Sequence, residues 1–459
     1  MRRVGLPARF AYRRQALGAV TDDIYAEEGN IVNEDSTKKI GRREFMGTAA
    51  AAAGFMIVAP QLVRGTAANS ALRVGLLGCG GRGTADAEYL IETGKARLVA
   101  LADLFQDQLD KAKAHFDKFQ QAKGIPAIER SLMFCGPNAY QEICHSKEVD
   151  VVVITTPPYF HPQHLAEAVT AGKHVYCEKP VAVDPQGCVS VLDSGRRAQG
   201  RLSLEVGFQL RNAPPYVEQV KRIHEGALGD IVSATGHYFS GYIDRPKWPN
   251  ASEDERRIRN WVHYRILSGD IIVEQNIHVI DVCNWIMQAH PVKASASGSN
   301  KYRPDQGDCY TNYSVVFHYP NGVSMTFGST QFNKGWWDVG WTFFGTKGVS
   351  EAHYNGPVAI YGENAWKYGE AASQAGGGEF SAAGVFHGNL DQADPEKKMS
   401  FVNSILNKQF HNQAEQGVES ALSCMMARQA AYTGEVVTYE QVATSGEQWD
   451  DEIDLSQFA

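Results

Sequence analysis

The tightest constraint on this chain is a cluster of glycines placed directly behind an apolar strand. Residues 72–77 read Leu-Arg-Val-Gly-Leu-Leu and run into Gly78-Cys79-Gly80-Gly81-Arg82-Gly83, after which a helix-like pattern continues to residue 91. Strand, tight turn and helix in that order are the context in which GxGxxG carries meaning. Gly78 allows the turn. Gly80, with Gly81 beside it, lets the backbone approach a pyrophosphate, and Gly83 lets helix and strand pack closely. The helix N-terminus then favours negative charge. A second strand, residues 97–102, ends in Asp103, at the spacing of the acidic residue that binds the ribose hydroxyls of a dinucleotide. That favours NAD. Arg82 keeps NADP open, because an arginine there can meet a 2′-phosphate. The plainer reading of Asp103 is a helix cap.

Residues 149–154 form a further run with the composition of a buried parallel strand. Thr155-Thr156-Pro157-Pro158 closes it at a carboxyl end of the sheet, where ligands bind in such folds. Thr156, Pro157 and His161 are candidate cofactor contacts, although His161 could equally do no more than cap the next helix. Another strand ends in Cys177-Glu178-Lys179-Pro180. The residue before a proline is held extended, so Lys179 stands at a strand tip and Glu178 beside it. On those four residues alone a solvated surface turn is the simpler reading.

A second chemical stretch runs Ser268-Gly269-Asp270-Ile271-Ile272-Val273-Glu274-Gln275-Asn276-Ile277-His278-Val279-Ile280-Asp281. Apolar residues recur there on a helical period through residue 287. Glu274 and His278 are four apart, hence on one helical face. A carboxylate beside an imidazole fixes the ring and raises its basicity, which suits a general base. This helix carries one histidine and lacks the zincin spacing, so no metal is expected.

Gly78-x-Gly80-x-x-Gly83, Thr156-Pro157-Pro158-x-x-His161, Ala171-Gly172-Lys173-His174-Val175 and Glu178-Lys179-Pro180 occur in this order and spacing. In combination they resemble the glucose–fructose oxidoreductase, inositol dehydrogenase and rhizopine-catabolism (Gfo/Idh/MocA) family. The resemblance implies an α/β chain: an N-terminal Rossmann dinucleotide-binding domain, then a C-terminal α/β domain with a large open, mainly antiparallel sheet. It implies a cis Lys179-Pro180 bond, with Lys179 beside the nicotinamide and the reacting hydroxyl. Arg211 matches a family arginine, and Asp281 matches the last aspartate of Gly-Gly-x-x-x-Asp-x-x-x-His-x-x-Asp; both are assigned to substrate. His278 matches the histidine. Glu274 replaces the first aspartate, Asp270 replaces the second glycine, and Asn276 stands where glycine is common. The implied catalytic set is Lys179, Glu274 and His278.

With 459 residues, 43% apolar and 21% charged, the chain suffices for two or three globular domains. A net charge of −8 argues against nucleic acid and against an anionic membrane surface. Eight cysteines without a CxxC pair give no disulfide framework and no zinc spacing. Gly41-Arg42-Arg43-Glu44-Phe45-Met46, an alanine-rich apolar run to residue 59 and small residues at 65–71 describe a twin-arginine export signal. The apolar run is too short to span a membrane. The expected organisation is a leader over 1–70, the Rossmann domain over 71–196, the second domain over 197–445 and a tail over 446–459. Within it, 244–260 read equally as a loop near the pocket mouth or as a plain surface loop, and 369–394 as a mobile insert. Leu422, Met425, Met426 and Ala430 read as core. Trp336, Trp337 and Trp341 read as a subunit contact on the sheet face, giving a homodimer or homotetramer. The expected activity is periplasmic NAD(P)-dependent oxidation of a sugar, polyol or glycoside hydroxyl, with tightly held, recycled nucleotide. Its rivals are an NAD-dependent glycosidase working by transient oxidation and elimination, and a non-catalytic sugar sensor.

Overall fold

A computed structural model describes residues 71–301, 307–369, 381 and 384–459. The export signal and the rest of the expected leader lie outside the described residues, as does most of the glycine-rich part of 369–394. Six strands come first: β1 (Leu72–Leu77), β2 (Ala96–Asp103), β3 (Met133–Cys135), β4 (Val151–Ile154), β5 (His174–Cys177) and β6 (Leu204–Val206). They form one parallel sheet in the order β3-β2-β1-β4-β5-β6. Helices cover both faces, so β4 and β6 are apolar or buried at every position. The order reverses between β1 and β4, and the crevice there is where such sheets take ligands. The expected boundary at residue 196 falls inside the helix Pro185–Ala198, and the sheet closes only with β6.

The second sheet has nine strands. They are β7 (Ile231–Gly241), β8 (Lys293–Ser299), β9 (Asn312–His318), β10 (Ser324–Asn333), β11 (Asp338–Gly345), β12 (Gly348–His353), β13 (Val358–Gly362), β14 (Trp366–Lys367) and β15 (Val437–Thr438). Their order is β14-β13-β12-β11-β7-β10-β9-β8-β15, antiparallel throughout except for the parallel pair β7 and β10. Strand alternation sends Ala234, Gly236 and Tyr238 toward the helices and Thr235, His237 and Phe239 to the other face. The helices Ile277–Met287 and Ala414–Thr433 pack on the inner face, where Leu422, Met425, Met426 and Ala430 are buried as expected. The tryptophans divide. Trp341 is buried against Tyr216 and Trp337 against Phe386, while Trp336 alone of the three is exposed. Trp336 and Trp337 precede β11 and Trp341 lies on its helix-covered face, so the three do not share one exposed face.

The C-terminal chain folds back onto the first domain. The helix Ala393–Leu406 lies against the glycine-loop helix Gly81–Glu92, and its Phe401, Val402 and Ile405 join the core formed by Val74, Leu76 and Leu98. The end of the expected mobile insert is therefore fixed structure: Asp394 is buried at the start of that helix. The tail is also seated. The Trp449 N–H donates to Asp184 (2.8 Å), and the Phe458 ring meets Phe105 edge-on at 5.5 Å. All eight cysteines are free, and no described helix is long and apolar enough to cross a membrane.

Candidate active site

The glycine loop fits a pyrophosphate for identifiable steric reasons. Gly78 has φ +97°, and a Cβ there would lie 2.7 Å from the Thr155 carbonyl carbon. A Cβ on Gly83 would overlap the Gly78 carbonyl oxygen and the Thr155 hydroxyl. Gly80 faces open space one residue before the helix begins. Asp103 accepts the Cys79 N–H (2.7 Å) and the Phe105 N–H (2.9 Å), which fixes the loop against the end of β2. Two adjoining clefts of about 340 and 430 Å³ meet at this loop. Both are lined by Gly80, Gly81, Thr155, Thr156, Arg245 and Trp261. Gly78, Asp103 and Pro157 line the larger one; Arg82, Gly83, His161, Glu178, Lys179, Glu274 and His278 line the smaller. The glycine loop at the shared neck and the Asp103 carboxylate in the larger cleft are the residue types that would hold a dinucleotide.

Lys179 is not a solvated turn residue. The Lys179-Pro180 bond is cis, and the lysine side chain is 13% exposed. Its Nζ donates to the Glu274 backbone carbonyl (2.7 Å) and to Glu274 Oε1 (3.0 Å). The expected continuous helix explains neither bond, and it does not exist. The segment is split into Ile271–Glu274 and Ile277–Met287, with the Ile271 carbonyl accepting from both Gln275 and Asn276 (2.9 Å each). The added residue in that turn is a π-type bulge, and it turns Glu274 toward Lys179. The apolar period continues through the break, so the sequence does not reveal it.

Glu274 thus holds the lysine rather than the imidazole. His278 is buried beside the same cleft, and its Nδ1 has no hydrogen-bond partner among the described residues. Burial, then the charges of Lys179 and Arg82, hold the ring well below the ordinary imidazole range. His278 is therefore neutral near pH 7, which is the form that can take a proton. The stretch is anchored at its start by Asp270, at φ +78° and ψ 164°, a conformation that glycine adopts freely. Its carboxylate accepts from the Ile271 N–H (2.6 Å), the Tyr310 N–H (3.1 Å) and the Tyr432 hydroxyl (2.7 Å). These bonds hold an aspartate where the family has glycine.

Arg82 does not offer itself to a 2′-phosphate. Its guanidinium bonds Asp394 (2.9 and 2.8 Å) and Glu178 (3.1 Å) and lies 3.1 Å from Asp86. Lys398 completes the cluster, 2.5 Å from Asp86 and 3.0 Å from Asp394. Glu178 also accepts the Lys179 N–H (3.1 Å), and a Cβ at Gly207 would overlap its carboxylate. Glu178 therefore braces the turn that carries Lys179. Three carboxylates face two cations here, and burial pushes Asp86 up to about 7. A carboxyl raised from 3.8 in this way stabilises the fold fully below about pH 4, and that contribution is lost as pH rises through 7. Between pH 5 and pH 8 the wild-type melting temperature should fall more than that of Asp86→Asn. Parallel slopes in thermal melts would place the titration elsewhere.

His161 neither caps nor simply contacts cofactor: its ring nitrogens lie 2.8 Å from the Pro180 carbonyl and 2.7 Å from the Thr156 carbonyl. It ties the β4 turn to the lysine turn. Arg211 and Asp281, expected at the substrate, line neither cleft. They pair with each other (2.8 and 3.0 Å), and Asp281 also accepts from Ser420. An aspartate 1% exposed and fully bonded is a packing element. Three residues went unpredicted: Asp394 and Lys398, which no local pattern marks, and Arg245. Arg245 sits at the neck of the two clefts, its Nε buried without a hydrogen-bond partner among the described residues. Its place in 244–260 was the available signal, and Trp248 and Arg259 of that stretch also line the larger cleft.

Residues 72–206 match the profile of the GFO_IDH_MocA oxidoreductase family, NAD-binding Rossmann fold, and residues 216–351 match the GFO/IDH/MocA C-terminal domain. The chain belongs to this family. Inositol 2-dehydrogenase of Rhizobium meliloti (strain 1021) is 26% identical over 295 residues, 63% of this chain and 78% of that protein. A glycosyl hydrolase family 109 protein of Shewanella sp. (strain W3-18-1) is 25% identical over 194 residues, 42% of this chain and 39% of that one. The crystal structure of aldose-aldose oxidoreductase from Caulobacter crescentus complexed with glycerol matches with a TM-score of 0.62 at 19% identity, over 80% of this chain and 99% of that chain. At that identity the likeness concerns the fold alone.

Proposed function

We propose that this protein is an exported NAD(P)-dependent oxidoreductase that oxidises a hydroxyl of a sugar, polyol or glycoside and keeps its nucleotide between turnovers. The observation that carries the reading is the pairing of Lys179 and His278 in one cleft. An ammonium has three donors; Glu274 occupies two, which leaves the third for a substrate oxygen. Neutral His278 takes the hydroxyl proton. A bound nicotinamide supplies the hydride acceptor. NAD is favoured over NADP, because a carboxylate stands at the ribose end and Arg82 is committed to Asp394 and Glu178. Because the nucleotide stays bound, the hydride it takes must pass to a second sugar, so mass spectrometry of products from nucleotide-loaded protein and a panel of sugars should show one sugar that has lost two hydrogens and another that has gained them. A panel returned unchanged, with lysine and histidine intact, would end this reading.

Export rests on the arginine pair and apolar run of residues 42–59. Nucleotide is scarce outside the cytoplasm, so export and retention belong together. Arg245 at the neck, Trp248 and Arg259 of the 244–260 stretch and Leu455 of the tail line the clefts together with the glycine loop. Hydrogen bonds to charged groups contribute about 1.5–3 kcal/mol, so Arg245→Ala should release nucleotide roughly 10- to 150-fold more readily. Dialysis followed by heat extraction measures this; an unchanged bound fraction removes Arg245 from the pyrophosphate.

The similarity to a glycosyl hydrolase family 109 protein supports a second outcome at the same residues, hydrolysis through transient oxidation. Release of nitrophenol from a nitrophenyl glycoside without accumulated NADH would select it. Trp336, Phe344 and Tyr361, exposed on or beside the outer sheet face, support a homo-oligomer through that face, which light scattering reads directly.

A further inference from the structure

On the outer face of the large sheet, away from the active-site cleft, two histidines flank one aspartate. The three come from adjacent strands: His237 on β7, Asp338 on β11 and His353 on β12. His237 Nε2 lies 2.8 Å from Asp338 Oδ2, and His353 Nδ1 lies 3.0 and 3.2 Å from the two Asp338 oxygens. All the potential donor atoms fall within 4.8 Å of one another. The register explains the convergence. Gly340 of β11 is paired with His237 on one side and His353 on the other. A Cβ at Gly340 would lie 3.0 Å from His353 Nδ1 and 3.3 Å from His237 Cε1. The glycine leaves the space into which both rings lean toward Asp338.

We infer that His237, Asp338 and His353 form a binding site for a zinc-class divalent cation, with a fourth position open to water. Zinc–nitrogen and zinc–oxygen bonds of about 2.0–2.2 Å put tetrahedral donor atoms about 3.3–3.5 Å apart. The separations of the two imidazoles from Asp338, 2.8 to 3.2 Å, must open by a few tenths of an ångström, and the two histidine donors, which lie within 4.8 Å of each other, must settle at the same spacing. The surroundings match those of metal-bound imidazoles, which donate their other N–H to a carboxylate. His353 Nε2 lies 3.1 Å from Glu351 Oε1, and Glu351 in turn accepts from the Tyr361 hydroxyl (3.0 Å). Charge agrees as well. His353 has a carboxylate at each ring nitrogen, and a neutral imidazole has only one proton to give. A dication balances Asp338 and Glu351 with both imidazoles neutral. The alternative is a protonated His353 held between the two carboxylates, and Asp338 does raise its affinity for a proton. Metal and proton then compete for one place.

The site is independent of the proposed activity, and its test does not read turnover. Metal-stripped full-length protein is titrated with Zn²⁺ by calorimetry, alongside His237→Ala, His353→Ala, Glu351→Gln and His278→Ala. One ion per chain is expected. Each of the first two variants should weaken binding at least 100-fold, Glu351→Gln about 10- to 100-fold, and His278→Ala not at all. A variant that fails to fold is replaced by a measurement on the wild type: Zn²⁺ should protect His237 and His353 from diethylpyrocarbonate, read by peptide mass spectrometry, while exposed His387 is labelled equally with and without metal. Wild-type binding no tighter than that of the histidine variants, binding lost with His278, or equal labelling of all three histidines would each overturn the site.

Discussion

Lys179→Ala is expected to lower kcat by about two to four orders of magnitude, the usual contribution of a positioned acid or base. The argument rests on the donors of one ammonium. Two are held by Glu274, through its backbone carbonyl and its carboxylate, and the third faces the cleft. Glu274→Gln keeps the carbonyl bond and an amide oxygen, so its loss should be much smaller than that of Lys179→Ala. This ordering separates two roles for Glu274. If it holds Lys179, Gln substitution lowers kcat modestly and leaves the pH profile in place. If instead it orients His278, substitution shifts the acid limb. That limb should lie below the ordinary imidazole value, because His278 must be neutral to accept a proton and burial favours the neutral form. A wild-type acid limb above pH 6.5, or near-normal turnover in Lys179→Ala with nucleotide still bound, would remove these residues from the roles assigned.

What the sequence discloses follows the range of the interactions involved. The glycine loop, Asp103 and the lysine turn are local: each is set by neighbours within a few residues, so their positions are legible in the sequence, while a use for Lys179 enters only through the order and spacing of all the motifs together. His278 is legible because it lies a fixed distance from other marked residues. The partner of Glu274 is not. Four-residue spacing places it beside His278, and only the bulge at Gln275–Asn276, invisible to apolar periodicity, turns it to Lys179. Arg211 and Asp281 show the converse: both match the family, yet they pair with each other 70 residues apart and line neither cleft. The least legible contact joins Arg82 to Asp394, 312 residues away, across a glycine-rich stretch that suggests no structure.

That contact predicts a large effect on stability. Arg82→Met removes the guanidinium that bonds Asp394 and Glu178 and approaches Asp86, leaving Lys398 alone against three buried carboxylates. Breaking one side of a buried ion network typically costs about 3–5 kcal/mol, because the remaining charges stay desolvated. Arg82→Lys should not rescue it. A lysine presents one point of charge, whereas Arg82 bonds both Asp394 oxygens and Glu178 together. Arg82→Met combined with Asp394→Asn should recover part of the loss, since one unpaired charge leaves with its partner. The same variants should loosen the turn at Lys179, as Glu178 is tied to Arg82 and to the Lys179 N–H. Denaturant melts measure the first effect and bound-nucleotide content the second. A single variant as stable as the wild type would show that the guanidinium contributes no more than the desolvation it demands, and the cluster would then be a means of positioning Glu178 alone.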